Sequence, residues 1–487
     1  MEVKDMSVLE NLEPQKVFYY FEQLCAIPHG SGNTKQISDY CVNFAKEHNL
    51  RYIQDASNNV ILFKDGSAGY ETSEPVILQG HLDMVCEKEP DCLIDFEKEG
   101  LDLRIDGDWI YARGTTLGGD DGIAVAYALA VLDDETLAHP PLEVVFTVDE
   151  EIGMLGAQAI DLSMLKGRRL LNIDSEEEGS FLTSCAGGMQ ATVTIPVSYR
   201  EEEGLCYQLT VENLVGGHSG SEIDKERANA IVLLGRCLDT LQEAVDIEIS
   251  AMEGGQKDNA IPRRTICQFL VSEENAEEVE RVVEQLQTVF RKEYAVSDPD
   301  VTLSLEKKNV KKMQVLDFKS KAKILYFLRT APNGVQNYSM ALPGLVETSL
   351  NAGIMKLNAQ KFFVVYSIRS SVQTRKYDLL QKLKMQAAFL GGIVSVEGDY
   401  PAWEYKEKSD VRKAMAEAFF EVYHKEPKFE AIHAGLECGL FSDKLEGLDA
   451  VSFGPNILDI HTTQEKLSIS STQRVWNLLR EALKRLK

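Results

Sequence analysis

The chain has 487 residues, 44% of them hydrophobic, and 51 Lys plus Arg stand against 77 Asp plus Glu for a formal net charge of −26. That length exceeds one ordinary core, so two or more domains are expected, and the apolar content excludes a disordered chain. The acidic balance argues against a nucleic-acid partner, no apolar run is long enough to span a bilayer, and the charged start MEVKDMSVLENLEPQK does not read as a secretory leader.

In chain order, residues 10–50 carry apolar positions at three-to-four spacing and read as two helices, with a break at IPHGSGN. Short apolar runs then alternate with helical stretches. Residues 76–78, 142–148 (LEVVFTV) and 168–173 (RRLLNI) read as strands, and 122–132 (GIAVAYALAVL) as a buried helix. This alternation predicts an α/β domain with a mostly parallel central sheet flanked by helices. After CAGG at 185–188, period-two alternation (MQATVTIPV, LCYQLTVENL) predicts half-exposed strands of an inserted α+β module. Within it EENAEEVERVVEQLQTVFRKEY is an amphipathic helix with a solvated face. From residue 408 the chain returns to helix, strand and a closing helix. The predicted division is 1–186 with 399–487 for the α/β domain and 187–398 for the insert. The nine Cys are odd in number, irregularly spaced and lack a C-x-x-C pair, which suits a reducing cytoplasm.

The ends of the predicted strands carry the chemistry. One ends at His81-Leu82-Asp83, the next at Asp149-Glu150-Glu151, the third at Asp174-Ser175-Glu176. Gly118-Gly119-Asp120-Asp121-Gly122 precedes the buried helix. In open α/β sheets ligands bind beyond the carboxyl ends of the strands, so His, Asp and Glu converge on one edge. Repulsion and desolvation would protonate so many acids in a dry crevice unless cations neutralise them. A His/Asp/Glu set without thiolates suits Zn²⁺, Mn²⁺ or Co²⁺, and several carboxylates imply a bridged metal pair. His81 and Asp83 share a strand face, so Asp83 is placed to orient the ring. Taken singly, each motif has a plainer reading: a solvated strand end, a solvated turn, or a phosphate-cradling loop. The last lacks both G-x-G-x-x-G and G-K-[ST] patterns, and its two Asp would repel phosphate.

Six motifs in order, GHLDMV, TTLGGDDGIAVA, TVDEEIGMLGA, LLNIDSEE, GGHSG and GPNILDIHTTQE, resemble those of the M20 family of dinuclear metallopeptidases. Length, the large insert and the NAIPR segment are similar to the cytosolic aminoacyl-histidine dipeptidases within it. The resemblance implies that His81 and Asp174 bind one metal, Glu151 and His461 the other, with Asp120 bridging. It implies Glu150 as general base, Asp83 as the orienter of His81, and a cis peptide between Asp120 and Asp121. It implies His218 as an oxyanion donor, commonly supplied across a dimer, and Asn259, Arg369 and Gly435 as holders of the peptide carboxylate and backbone. Two departures stand out: D-D-G where D-D-K-G is widespread, and H-T-T-Q-E at the last ligand. His29, His48, His139, His424 and His433 read as structural or surface residues, and Glu437 as either a core-edge acid or a contact for the substrate amine.

The resulting expectation is a cytoplasmic, homodimeric dipeptidase with two Zn²⁺ per subunit, Mn²⁺ or Co²⁺ being substitutes, that cleaves unblocked dipeptides including aminoacyl-histidine. The insert would act as lid and dimerisation domain. The alternatives are an aminoacylase or tripeptidase on the same scaffold, or a metal-binding homologue without turnover.

Overall fold

The computed structural model describes residues 7–487; the first six residues of the charged N-terminal stretch lie outside the described residues. The chain divides into two compact units. Among the described residues the first runs up to 184 and takes in 405–431 and 436–487, and the second takes in 185–404 and 432–435. The short return of 432–435 to the second unit had no counterpart in the sequence reading.

The first unit is built on an eight-stranded sheet. Its order is Arg51–Gln54, Val60–Lys64, Leu142–Thr147, Val76–His81, Arg169–Asn172, Asp449–Ser452, Ser180–Cys185 and Lys428–Ile432. The four strands from Leu142–Thr147 to Asp449–Ser452 are mutually parallel, and Val60–Lys64 and Ser180–Cys185 join them antiparallel. Val76–His81 and Leu142–Thr147 are buried at every residue, which is why their sequences run apolar instead of alternating. Helix Gly119–Asp133 is apolar all round and sealed inside the unit. It shares a core with helices Gln15–Cys25, Lys35–Glu47, Asp410–Tyr423 and Ile469–Arg485, through Phe18, Phe21, Tyr127, Phe419 and Trp476 among others.

The second unit is a nine-stranded sheet whose mapped pairings are all antiparallel, with helices Ala230–Ala244, Ala276–Glu293, Phe318–Thr330 and Gln373–Phe389. It has its own core, in which Leu234, Leu238, Phe269, Phe290, Phe327 and Phe362 meet. Helix Ala230–Ala244 starts at Asn229, whose side chain accepts from Ile231 N and Val232 N. Strand Ile393–Tyr400 closes one edge of this sheet.

Candidate metal centre and substrate-holding residues

In the first unit the parallel strands all point their carboxyl ends to one edge, and that edge gathers the predicted acids. His81 is the last residue of its strand, while Glu150, Glu151 and Asp174 follow the ends of the neighbouring strands. Asp120 sits in the turn that starts the buried helix. Gly118 has φ +66°, and a Cβ there would press on Met84 Sδ at 2.8 Å, so a larger residue would be strained in this turn. The Asp120–Asp121 peptide is cis. His461 lies in a loop near the C-terminus with φ +60°, an uncommon left-handed conformation for a side-chain-bearing residue.

Asp120 lies between the two histidines. Its Oδ1 is 3.2 Å from His81 Nε2 and its Oδ2 is 3.2 Å from His461 Nε2. Asp174 Oδ1 is 3.8 Å from His81 Nε2, and Glu151 Oε1 is 2.9 Å from His461 Nε2. His81, Asp120, Glu151, Asp174 and His461 thus fall into two groups that share Asp120. Three overlapping sets of potential ligand atoms, each within 4.8 Å of one another, occur here among the described residues: His81/Asp121/Asp174, His81/Glu150/Glu151 and Asp120/Glu151/His461. Glu151 Oε1 is buried, and although His461 Nε2 approaches to 2.9 Å it receives no well-aligned hydrogen bond among the described residues. An acceptor left in that state, among imidazoles and carboxylates, fits a cation better than a proton donor. The residues present therefore suit a metal pair.

The electrostatics of the metal-free cluster point the same way. Burial works against charging His81, but its hydrogen bond to Asp120 and the charge of Asp174 raise its pKa well above the ordinary value. The Asp120 and Glu151 carboxylates close to its ring push His461 up to about 10. Burial opposes ionisation of Asp120, and the hydrogen bonds from His461 and His81 overcome it and hold its pKa low. Burial, then the charge of Asp121, raises Asp174. Burial raises Glu150 to about 8. Protons are standing in for cations across the cluster.

Asp83 holds the His81 ring through the main chain. His81 Nδ1 donates to the Asp83 carbonyl oxygen at 2.9 Å, while the carboxylate Oδ1 stands 3.6 Å away. The carboxylate instead accepts from Ser31 Oγ (2.8 Å), Glu150 N (3.0 Å) and Glu151 N (3.3 Å). It fixes the turn that presents the acid pair, a contact between separate chain segments that strand periodicity could not show. Asp121, assigned no role from sequence, accepts from His81 N at 3.1 Å. Glu437 is fully buried: Gln79 Nε2 (2.5 Å) and Thr147 Oγ1 (2.7 Å) donate to its Oε2, its Oε1 has no hydrogen-bond partner among the described residues, and burial raises its pKa to about 7.

His218, Asn259, Arg369 and Gly435 belong to the second unit. His218 pairs with Ala260 across a two-residue ladder next to Asn259. Its Nδ1 accepts from Gly220 N and Ser221 N, both at 3.2 Å, which leaves Nε2 as the protonated, donating nitrogen. Burial and the charge of Arg369 lower its pKa. Arg369 donates to Tyr400 Oη at 3.2 Å, its Nε is buried without a partner, and it makes no ion pair among the described residues. Gly435 packs on Tyr400: a Cβ there would come within 2.8 Å of the ring, and one at Gly188 would come still closer to the hydroxyl. Tyr400, missed from sequence, therefore supplies a packing reason for glycine at 435. His433 is buried with Nε2 2.8 Å from Ser349 Oγ, and burial and the Arg369 charge lower its pKa to about 3, so it is neutral.

Known proteins resemble this chain over nearly its whole length. Over 486 residues the chain is 36% identical to the cytosol non-specific dipeptidase of Escherichia coli (strain K12), covering 99% of both. Its structure is similar to that of the aminoacylhistidine dipeptidase from Vibrio alginolyticus, with TM-score 0.93 and 33% identity over 98% of this chain and 97% of that one. Aminopeptidase PepT from Bacillus cereus shares the fold at 14% identity and TM-score 0.56 over 98% of this chain and 99% of that one. Peptidase family M20/M25/M40 matches residues 77–485, and with relatives of this identity and coverage the chain belongs to that family.

Proposed function

We propose that this chain is a metal-dependent dipeptidase that hydrolyses unblocked dipeptides, aminoacyl-histidine among them. The observation that carries the reading is the shared Asp120 between His81 and His461, with Glu150 beside it. Full-length similarity to two dipeptidases supports the substrate class. His81 and Asp174 would hold one metal, Glu151 and His461 the other, and Asp120 both. Two Zn²⁺ suit the donors, with Mn²⁺ or Co²⁺ as substitutes. When bound, such a pair polarises the scissile carbonyl and activates water.

The protein's own groups do the rest. Glu150 takes the proton of the attacking water and returns it to the leaving amine. Asp83 keeps Glu150 in place through its main-chain N–H. In the second unit, Arg369 has donors unused by any protein carboxylate, as a residue that receives a peptide carboxylate needs. The tautomer of His218 leaves Nε2–H for an oxyanion. Asn259 and Gly435 complete the set that would hold the peptide.

The chain would act in the cytoplasm, as its cytosolic relative's name suggests, and no helix among the described residues is long and apolar enough to cross a membrane. It would be a homodimer. The edge strand Ile393–Tyr400 and the neighbouring helices expose Ile393, Met385, Phe389 and Tyr326, an apolar set beside unpaired main-chain groups.

The test is release of amino acids from dipeptides, tripeptides and N-acetyl amino acids, after chelation and after Zn²⁺ or Mn²⁺ is restored. Metal-dependent cleavage confined to dipeptides supports the proposal. Turnover only of acylated amino acids, or none despite metal binding, overturns it. Sedimentation at micromolar concentration tests the dimer.

A further inference from the structure

The turn from Leu117 to Asp120 presents four consecutive main-chain N–H groups at the start of a buried helix. Such groups have no acceptor within the helix and must find one elsewhere. All four find the same carboxylate. Glu465 Oε2 accepts from Leu117 N (2.7 Å) and Gly118 N (3.2 Å), and Oε1 from Gly119 N (2.8 Å) and Asp120 N (3.3 Å). Glu465 is buried and makes no ion pair among the described residues. Burial raises its pKa, yet each oxygen accepts two N–H donors, which a protonated carboxyl could not satisfy. Its charge is balanced by the helix terminus. Glu465 lies four residues past His461 and closes that loop, its own N donating to Thr462 O at 3.2 Å.

One side chain thus ties together two segments separated by more than 300 residues, one carrying Asp120 and the other His461. None of the four hydrogen bonds is with a candidate ligand's side chain. We propose that Glu465 is a positioning residue that locks the Asp120 turn to the His461 loop, and so sets the geometry of the Asp120/Glu151/His461 group. His81 ends a strand and Asp174 follows one, both outside this lock, whereas His461 depends on it, so the effect is larger on the His461 side although Asp120 would serve both. This inference rests on the metal reading above.

The test is calorimetric titration of metal-stripped protein with Zn²⁺. Wild type is expected to take two equivalents. Glu465→Gln keeps the size but turns an amide nitrogen towards two N–H donors. It should weaken the second equivalent about 10- to 100-fold, the usual effect of losing a group that orients a ligand, and leave the first within a few-fold. The double variant Glu465→Gln/His461→Ala should bind metal no worse than His461→Ala alone, because both changes remove the same ligand placement. Additive losses in that cycle would show a general structural role and overturn the proposal. Wild-type affinity at both equivalents in Glu465→Gln would overturn it too. Failure of wild type to take two equivalents would instead overturn the metal reading. Should Glu465→Gln not fold, Glu465→Asp, which keeps the charge on a shorter arm, takes its place with the same expected direction.

Discussion

Glu150 and its neighbours set the sharpest expectations at the residue scale. Glu150→Gln keeps the side-chain volume and the main-chain N–H that Asp83 accepts, but cannot move a proton. Its kcat should fall about 10²- to 10⁴-fold with metal stoichiometry unchanged; a variant with wild-type kcat would remove Glu150 from the mechanism. A second expectation concerns protons. His461 is raised to about 10 in the metal-free protein, so it is protonated at neutral pH, and His81 is shifted in the same direction. A cation must displace the His461 proton, so binding releases H⁺ and apparent affinity rises with pH below about 10. Calorimetry in two buffers of different ionisation enthalpy measures the count, and no net release at pH 7 would contradict the cluster's charge state. At this scale strand ends and a glycine-rich turn brought out His81, Asp120, Glu151 and Asp174, whereas His461 and the ligand roles of all five came from the resemblance to the M20 motifs. The destination of the Asp83 carboxylate was not legible. It depends on how the turn at Glu150 folds back over the strand end at His81, a relation between segments that no local period encodes.

Among the elements, helix Ala230–Ala244 of the second unit offers a clean case. Asn229 caps it through Oδ1 and, through Nδ2, donates to Asn351 Oδ1 (3.1 Å) and Ala352 O (3.0 Å). The residue is buried, so Asn229→Ala leaves partners unsatisfied and should cost about 1–3 kcal/mol in denaturant unfolding. A loss near zero would mean that the helix start is capped by other groups. The long periodic helices were legible: the predicted 122–132 lies inside Gly119–Asp133, and the amphipathic stretch became Ala276–Glu293. The α/β character of the first unit followed from strands and helices alternating. What alternation hid was the mixture of directions, parallel in the middle and antiparallel at the flanks. A buried antiparallel strand such as Val60–Lys64 reads as the same apolar run as a parallel one.

For the whole molecule, two separate cores and one candidate metal cluster among the described residues imply two unfolding events with different sensitivities. Only the first unit contains the cluster. Metal at about a hundred times its Kd should therefore stabilise that unit by about 2.7 kcal/mol. Scanning calorimetry of stripped and loaded protein should show one transition moving and the other staying. Equal movement of both would mean that the units unfold together. The chain's division is only partly visible in the sequence, since the four residues 432–435 cross to the second unit between a strand and a helix of the first. Such a short excursion carries no composition shift to mark it.

The first unit is assembled from three stretches of chain, and His461 with Glu465 arrives in the last of them. During synthesis, His81, Asp120, Glu151 and Asp174 leave the ribosome long before the segment that completes their cluster. Until the final stretch emerges, the nascent chain offers a partial set of donors and an unlatched turn at Asp120. On the proposed assignment, the Asp120/Glu151/His461 group would gain its last donor only once the third stretch of the first unit has emerged, whereas His81, Asp120 and Asp174 would already be present.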